Sequence, residues 1–372
     1  MKISYISNSA LPGSNANSLQ IVKMCEQFTI LNNTVNLIVP NTGLKNLNPY
    51  KFYGIKKKFF IKKIKIFKKF PVGLMYYLFS IVSIFYALKY KSDLIITRNY
   101  FVCFLLTLIK KKCIFEFHHD MTMEGRIVRF ILNNFNFLNS ESVVKIIAIT
   151  HSIKTHYINK YNINKKKIIV LPSGTSLENT VVRINFKNKK LNIGYFGLVN
   201  NSRGLDLIIN LSNIDKFNNY FIFGAEKNII RNLQQKNFFN NLNVNGYISN
   251  EKIKFFINKM DILIMPYKKK VTSAGNIGDI GKYTSPLKLF DYLASGKVII
   301  ASEINVLKEV LKKNYNCVFV RNYSNAFAWK NEIDKIKNNR VKRRLLSISA
   351  LDTSKKYRLI TRAKKYLDDI KI

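Results

Sequence analysis

Four short stretches of this 372-residue chain hold residues whose types and spacing could do chemistry. SPLKLFDYLASGK, residues 285–297, opens with Ser-Pro, closes with Ser-Gly, and sets Lys288 and Asp291 three positions apart. Ser285 suits an N-cap and Pro286 the first helical position, which places Leu287 and Lys288 near unpaired backbone donors at the head of a helix ended by Gly296. Two readings stand there. A phosphate would meet the donors and the lysine ammonium; an i,i+3 ion pair on a solvated helix would contribute only ~0.3 kcal/mol. YFGLVNNSRGLDLII (195–209) ends a strand at Gly197 and sets Arg203-Gly204 at the mouth of a helix. Backbone N–H groups, a helix dipole and a guanidinium together suit an anion, and a surface arginine before a glycine turn is the plainer alternative.

EFHHDMTMEG (116–125) puts His118 at a strand's carboxyl end beside acids, where it could act as a general base or hydrogen-bond donor. On an extended backbone His119 points to the opposite side, and with no third ligand in the pattern no metal site is expected. NSALPGSNANS (8–18) carries a single glycine, Gly13, short of the three in a dinucleotide fingerprint. That glycine would let a ligand approach the backbone; a plain βα turn fits equally well.

The elements that must position these residues read clearly. Strands are expected at 2–7, 34–39, 93–98, 113–118, 145–150 and 168–172, then again at 191–197, 219–224, 242–247, 261–266, 297–302 and 316–320. Helical patterns alternate with them, which means parallel sheets covered on both faces. The polar stretch 176–190 separates the two series. The expected fold is therefore α/β, two doubly wound Rossmann-like domains facing a cleft, with ligands at the carboxyl ends of the strands. The domains are expected at 1–175 and 190–350, with 351–372 a helix crossing back to the first.

Composition narrows the class. Apolar residues make up 47% of the chain, enough to bury cores, and 62 basic against 21 acidic residues give a net charge of +41. The excess is dispersed and carries no nucleic-acid motif, so a nucleic-acid binder is the remote alternative; contact with an anionic membrane surface is preferred. The basic, aromatic stretch 56–70 reads as a strand or edge hairpin with lysines facing solvent. The uncharged run 72–88 reads as a domain helix packed on a sheet, with an interfacial helix and a membrane span as rivals. Four scattered cysteines without a CxxC pair fit a reducing compartment, and MKISYISNSALPGS turns polar too soon for a signal peptide. A cytoplasmic location is expected.

The ordered segments resemble a known family, the GT-B-fold retaining glycosyltransferases of family four, also called glycosyl transferases group 1. SPLKLFDYLASGKVIIASEINVLKEVL is similar to the family's nucleotide-sugar helix, YFGLVNNSRG to its YxGxxxxxKG segment, and LPSGTSL to its LPNGVD segment. GYISNEKIKFFINKMDILIMPY and EFH are similar to two further family segments, and the five stand in the family's order.

The resemblance implies a sugar donor activated as a nucleotide diphosphate, a glycan or lipid-linked acceptor, and no cofactor. It implies that Asp291 bonds the ribose hydroxyls, that Arg203, Lys288 and the helix start at Ser285, Pro286 and Leu287 hold the diphosphate, and that Gly197 lies beside it. His118 would face the transferred sugar and acceptor, and Gly13 would lie in the loop closing over them. Tyr283 stands where the family commonly has a glutamate, Asp291 is a shortened glutamate, and Leu198 replaces a common arginine. Those departures leave a catalytically weakened GT-B partner protein as the alternative function. Surface polysaccharide or lipopolysaccharide synthesis at the inner face of the cytoplasmic membrane is the implied setting.

Overall fold

The computed structural model describes residues 1–65, 72–177, 190–235, 240–272, 278–368 and 370. The chain divides into two compact units, Met1–Ser173 with Leu359–Ile372, and Gly174–Arg358.

The first unit is a parallel sheet of β1 (Lys2–Ile6), β2 (Thr34–Pro40), β3 (Phe60–Ile64), β4 (Leu94–Thr97), β5 (Cys113–Phe117), β6 (Val143–Ala148) and β7 (Ile168–Val170), in the order β3-β2-β1-β4-β5-β6-β7. The second holds β8 (Asn192–Phe196), β9 (Asn219–Phe223), β10 (Leu242–Asn245), β11 (Ile262–Met265), β12 (Val298–Ser302) and β13 (Val318–Val320), in the order β10-β9-β8-β11-β12-β13, again parallel. Strands β4, β5, β11 and β12 are buried at every position, as an all-parallel sheet under helices demands. In each sheet the strand order reverses once, between β1 and β4 and between β8 and β11, and ligands of such sheets enter outside the carboxyl ends at that point.

Several expectations are sharpened. The basic stretch 56–70 supplies one parallel edge strand, β3, and no hairpin within residues 56–65; residues 66–70 and most of the expected linker, 178–189, lie outside the described residues. The expected domain end at 350 falls inside the helix Arg340–Lys355, and the chain rejoins the first unit at Leu359, not 351. The helix Leu359–Leu367 then packs on Ala16–Ile30, with Phe28 and Tyr366 edge to face at 5.7 Å. The run 72–88 forms the helix Val72–Lys89, and among the described residues no helix is long and apolar enough to cross a membrane.

Candidate functional site

In the second unit, the carboxyl end of β8 and the head of the helix Leu287–Ser295 meet at one corner. Pro286, not Ser285, is the N-cap of that helix: its backbone is extended (φ −70°, ψ 125°), so helical geometry starts one residue later than the Ser-Pro pattern suggests. Proline brings no amide that would need a partner. Lys288 is consequently the second helical residue, and Gly296 ends the helix in the left-handed region.

Of the two readings of Lys288, the surface pair with Asp291 gives way to inward burial of the lysine. Lys288 Nζ sits 3.6 Å above the ring centroid of Tyr195, at the end of β8, and 5.4 Å from that of Tyr267, just after β11. Asp291 accepts a 2.7 Å hydrogen bond from Thr175 Oγ1. Gly197 makes room for the lysine: a Cβ there would stand 2.8 Å from Lys288 Cε and 2.9 Å from Nζ, and its φ of +120° already favours glycine. Gly197→Ala should therefore displace Lys288 and strain the backbone by roughly 1–3 kcal/mol. Denaturant unfolding would register that loss, and an alanine variant as stable as the wild type would contradict the geometry.

Arg203 arrives at the same corner from the short 3-10 turn Asn201–Arg203, whose start Asn200 caps by accepting from the Arg203 amide at 3.1 Å. Gly204 follows at φ +83°, where a Cβ would lie 2.2 Å from the Pro266 carbonyl oxygen, so the turn can press onto the end of β11. The Arg203 positive charge bears on both the Tyr267 hydroxyl and Lys288. Burial, reinforced by Arg203, holds the Lys288 ammonium well below the usual lysine range. Lys288 Nζ and Arg203 Nη1 are both buried with no hydrogen-bond partner among the described residues. Two such donors beside one set of tyrosines leave hydrogen-bonding capacity that an anion could satisfy.

Tyr283 is half-buried in the turn before the helix, its amide bonded to the Ile280 carbonyl at 2.9 Å. Tyr195, Tyr267 and Thr175 were not named from the sequence, because the two tyrosines meet Lys288 through their ring faces and Thr175 meets Asp291 through a hydrogen bond across 116 residues. The first two carried a signal only in their position at strand ends.

In the first unit, β5 delivers His118 onto a buried carboxylate. Glu116 is 1% exposed and takes Arg98 Nε at 3.2 Å, Arg362 Nη2 at 2.7 Å, Tyr5 Oη at 3.2 Å, His118 Nε2 at 2.9 Å and the Tyr366 hydroxyl. Burial opposes its charge, but Arg98, Arg362 and His118 outweigh that and hold the carboxyl well below the usual range. Burial and Arg98 lower His118 to about 4 despite Glu116. At neutral pH the ring is uncharged and Glu116 can only accept, so Nε2 carries the proton and Nδ1 presents a lone pair.

The neighbouring His119 turns to Glu124 at 2.8 Å, so the two adjacent histidines part as extended backbone requires. Among the described residues no group of three His, Cys, Asp or Glu side chains could hold a metal. Gly13 is held by Tyr53: its amide donates to Tyr53 Oη at 2.7 Å, and that hydroxyl donates back to its carbonyl at 2.8 Å. Gly13 thus has its own amide engaged within the protein, as a βα turn would. Sequence reading named His118 but not Glu116, Arg98, Arg362 or Tyr366, of which only Glu116 carried a signal, two residues before the histidine.

Residues 178–352 match the family model described as glycosyl transferases group 1. No curated protein matches the sequence significantly. Solved structures of similar fold include Anabaena HepE in complex with UDP and glucose, at 14% identity and TM-score 0.73 over 100% of both chains. A glycosyltransferase from Rickettsia africae ESF-5 is similar at 18% identity and TM-score 0.72, covering 99% of this chain and 97% of its own. WaaG, a glycosyltransferase involved in lipopolysaccharide biosynthesis, is similar at 10% identity and TM-score 0.65 over 98% of both. The second unit thus carries the match to the glycosyl transferases group 1 model, and the whole chain has the two-sheet GT-B fold of these solved structures.

Proposed function

We propose that this chain is a family-four enzyme that transfers a sugar from a nucleotide diphosphate to a glycan or lipid-linked acceptor with retention of anomeric configuration. The carrying observation is the pair of buried, unpartnered cations, Lys288 Nζ and Arg203 Nη1, beside Gly197. A diphosphate would satisfy both donors and recharge the lysine. As the bond from the anomeric carbon to the leaving phosphate breaks, negative charge grows where these cations point, which is the condition for stabilising the transition state rather than the ground state. The acceptor oxygen bonds the same face of the anomeric carbon and its proton passes to the departing phosphate, so no carboxylate pair of the glycosidase kind is needed. His118, neutral and steered by Glu116, would accept a hydrogen bond from a sugar or acceptor hydroxyl at Nδ1. Asp291, held by Thr175, would bond the ribose hydroxyls. No step calls for a resident metal or cofactor.

The likeness to a lipopolysaccharide glycosyltransferase and the strongly basic chain favour surface-glycan assembly at the inner face of the cytoplasmic membrane as the setting. UDP, the nucleotide bound by the Anabaena structure, is the first ligand to titrate. Calorimetry should give a dissociation constant below about 1 mM, equivalent to about 4 kcal/mol of binding. Absence of binding by UDP and by the other nucleoside diphosphates at that concentration would sink the proposal.

A further inference from the structure

The helix Val72–Lys89 is built inside out. Its buried face carries Ser80 and Ser83 among Phe79, Ile84 and Ala87. Ser80 accepts from Asn99 Nδ2 at 2.8 Å and donates to the Tyr76 carbonyl, while Ser83 donates to the Ser80 carbonyl. Its outer face is apolar: Leu74, Ile81, Val82, Phe85 and Leu88 are exposed, Phe85 by 63% and Ile81 by 54%. A surface helix of a water-soluble domain normally shows the reverse, polar residues out and an apolar stripe in. Spacings of one, three and three residues from Ile81 to Leu88 keep these side chains on one side.

The apolar face continues across neighbouring elements. Tyr77 packs on Phe101 at 4.7 Å, Phe104 of the next helix on Phe135 at 5.0 Å, and Phe135 on Phe130, which is 61% exposed. Exposed basic residues lie on the same elements or just beyond the ends of adjoining ones, namely Lys65, Lys89, Lys91, Arg126 and Arg129. Residues 56–135 contain sixteen Lys and Arg against four Asp and Glu in the sequence, and one of the acids, Glu116, is buried in its own ion pairs. Contiguous exposed apolar surface of this kind marks an interaction site.

We infer that this face lies on an anionic phospholipid bilayer, with the helix Val72–Lys89 flat in the interface and the basic rim on the lipid headgroups. Charge selects this occupant over a second copy of the chain: a self-complementary contact would bring like-charged surfaces together, whereas acidic headgroups neutralise them. Phe, Leu and Ile on one side with Lys and Arg at the border is the arrangement of an interfacial helix, and none of the described helices can span. The inference deepens the membrane setting proposed above and does not depend on the donor chemistry.

The test uses the full chain with phosphatidylcholine vesicles, with and without phosphatidylglycerol. Wild type should cosediment with the anionic vesicles, and added salt should weaken that binding. Ile81→Ser/Val82→Ser/Phe85→Ser should lower the partition coefficient at least about tenfold, since each side chain otherwise leaves water. Its UDP affinity should be unchanged, which shows that the variant is folded. Phe85→Trp supplies a local readout, because the one native tryptophan, Trp329, is buried in the second unit: its emission should shift to the blue with anionic vesicles. Wild type left in the supernatant, equal binding by the triple variant, or equal binding to neutral vesicles would overturn the inference. A triple variant that only converts a dimer to a monomer would assign the face to a second copy instead. Failure of UDP binding with vesicle binding intact would remove the donor proposal and leave this one standing.

Discussion

Lys288→Met is expected to stabilise the ligand-free protein while destroying its affinity for a nucleoside diphosphate. The lysine Nζ is buried over Tyr195 with no hydrogen-bond partner among the described residues, and Arg203 adds like charge beside it. Methionine fills a similar volume without a polar end, and exchanging buried charged groups for well-packed apolar ones is neutral or stabilising by roughly 1–4 kcal/mol. Loss of one charge-matched donor should cost about 100- to 1000-fold in turnover. Denaturant unfolding, UDP calorimetry and a turnover assay on one preparation read the three effects. A methionine variant that is less stable than wild type, or that binds UDP equally well, would refute the assignment.

The lysine also sets a pH signature. Because its folded pKa lies below the unfolded one, the folded chain binds fewer protons between the two values, and stability of the free protein rises with pH across that window. A diphosphate favours the ammonium, so binding in the same window should take up a proton and weaken as pH rises. UDP calorimetry in buffers of different ionisation enthalpy would detect the proton, and the methionine variant should show none.

The second large effect is expected in the first unit. Glu116→Gln should destabilise the protein by roughly 3–5 kcal/mol, because it leaves Arg98 and Arg362 buried without their counter-charge. Tyr366→Phe, which removes one neutral donor from the same carboxylate, should cost only about 1 kcal/mol. Acid acts in the same direction. The Glu116 carboxyl is held low, so its stabilisation is present above the ordinary carboxylate range and is lost as pH falls through its folded pKa. His118 is depressed to about 4, so its contribution is full above the ordinary histidine range and is lost between there and about pH 4. Wild type should therefore lose stability steadily from about pH 6.5 downward, and Glu116→Gln more gently. A glutamine variant within 1 kcal/mol of wild type at pH 7 (the spread of an ordinary surface change, about 0.5 kcal/mol, is smaller still) would show that the cluster is solvated.

The sequence by itself determined the two parallel sheets, because strands buried on both faces must be written as apolar runs, and helices of period 3.6 between them leave no other layering. It also determined the order of segments that carries the family resemblance, and the place of His118, Arg203 and Lys288 at strand and helix ends. Local pattern could not choose between the two readings of Lys288. Spacing brings Lys288 and Asp291 within reach of each other, but the direction of the long side chain was decided by the space at Gly197 and the rings of Tyr195 and Tyr267. Nor could it show that Arg362 reaches Glu116 across 246 residues, since that pairing exists only once the last helix returns to the first unit. A motif records which groups are available along the chain; whether a charge is left buried and unpaired, and thus waiting for a ligand, depends on contacts between segments that no local spacing encodes.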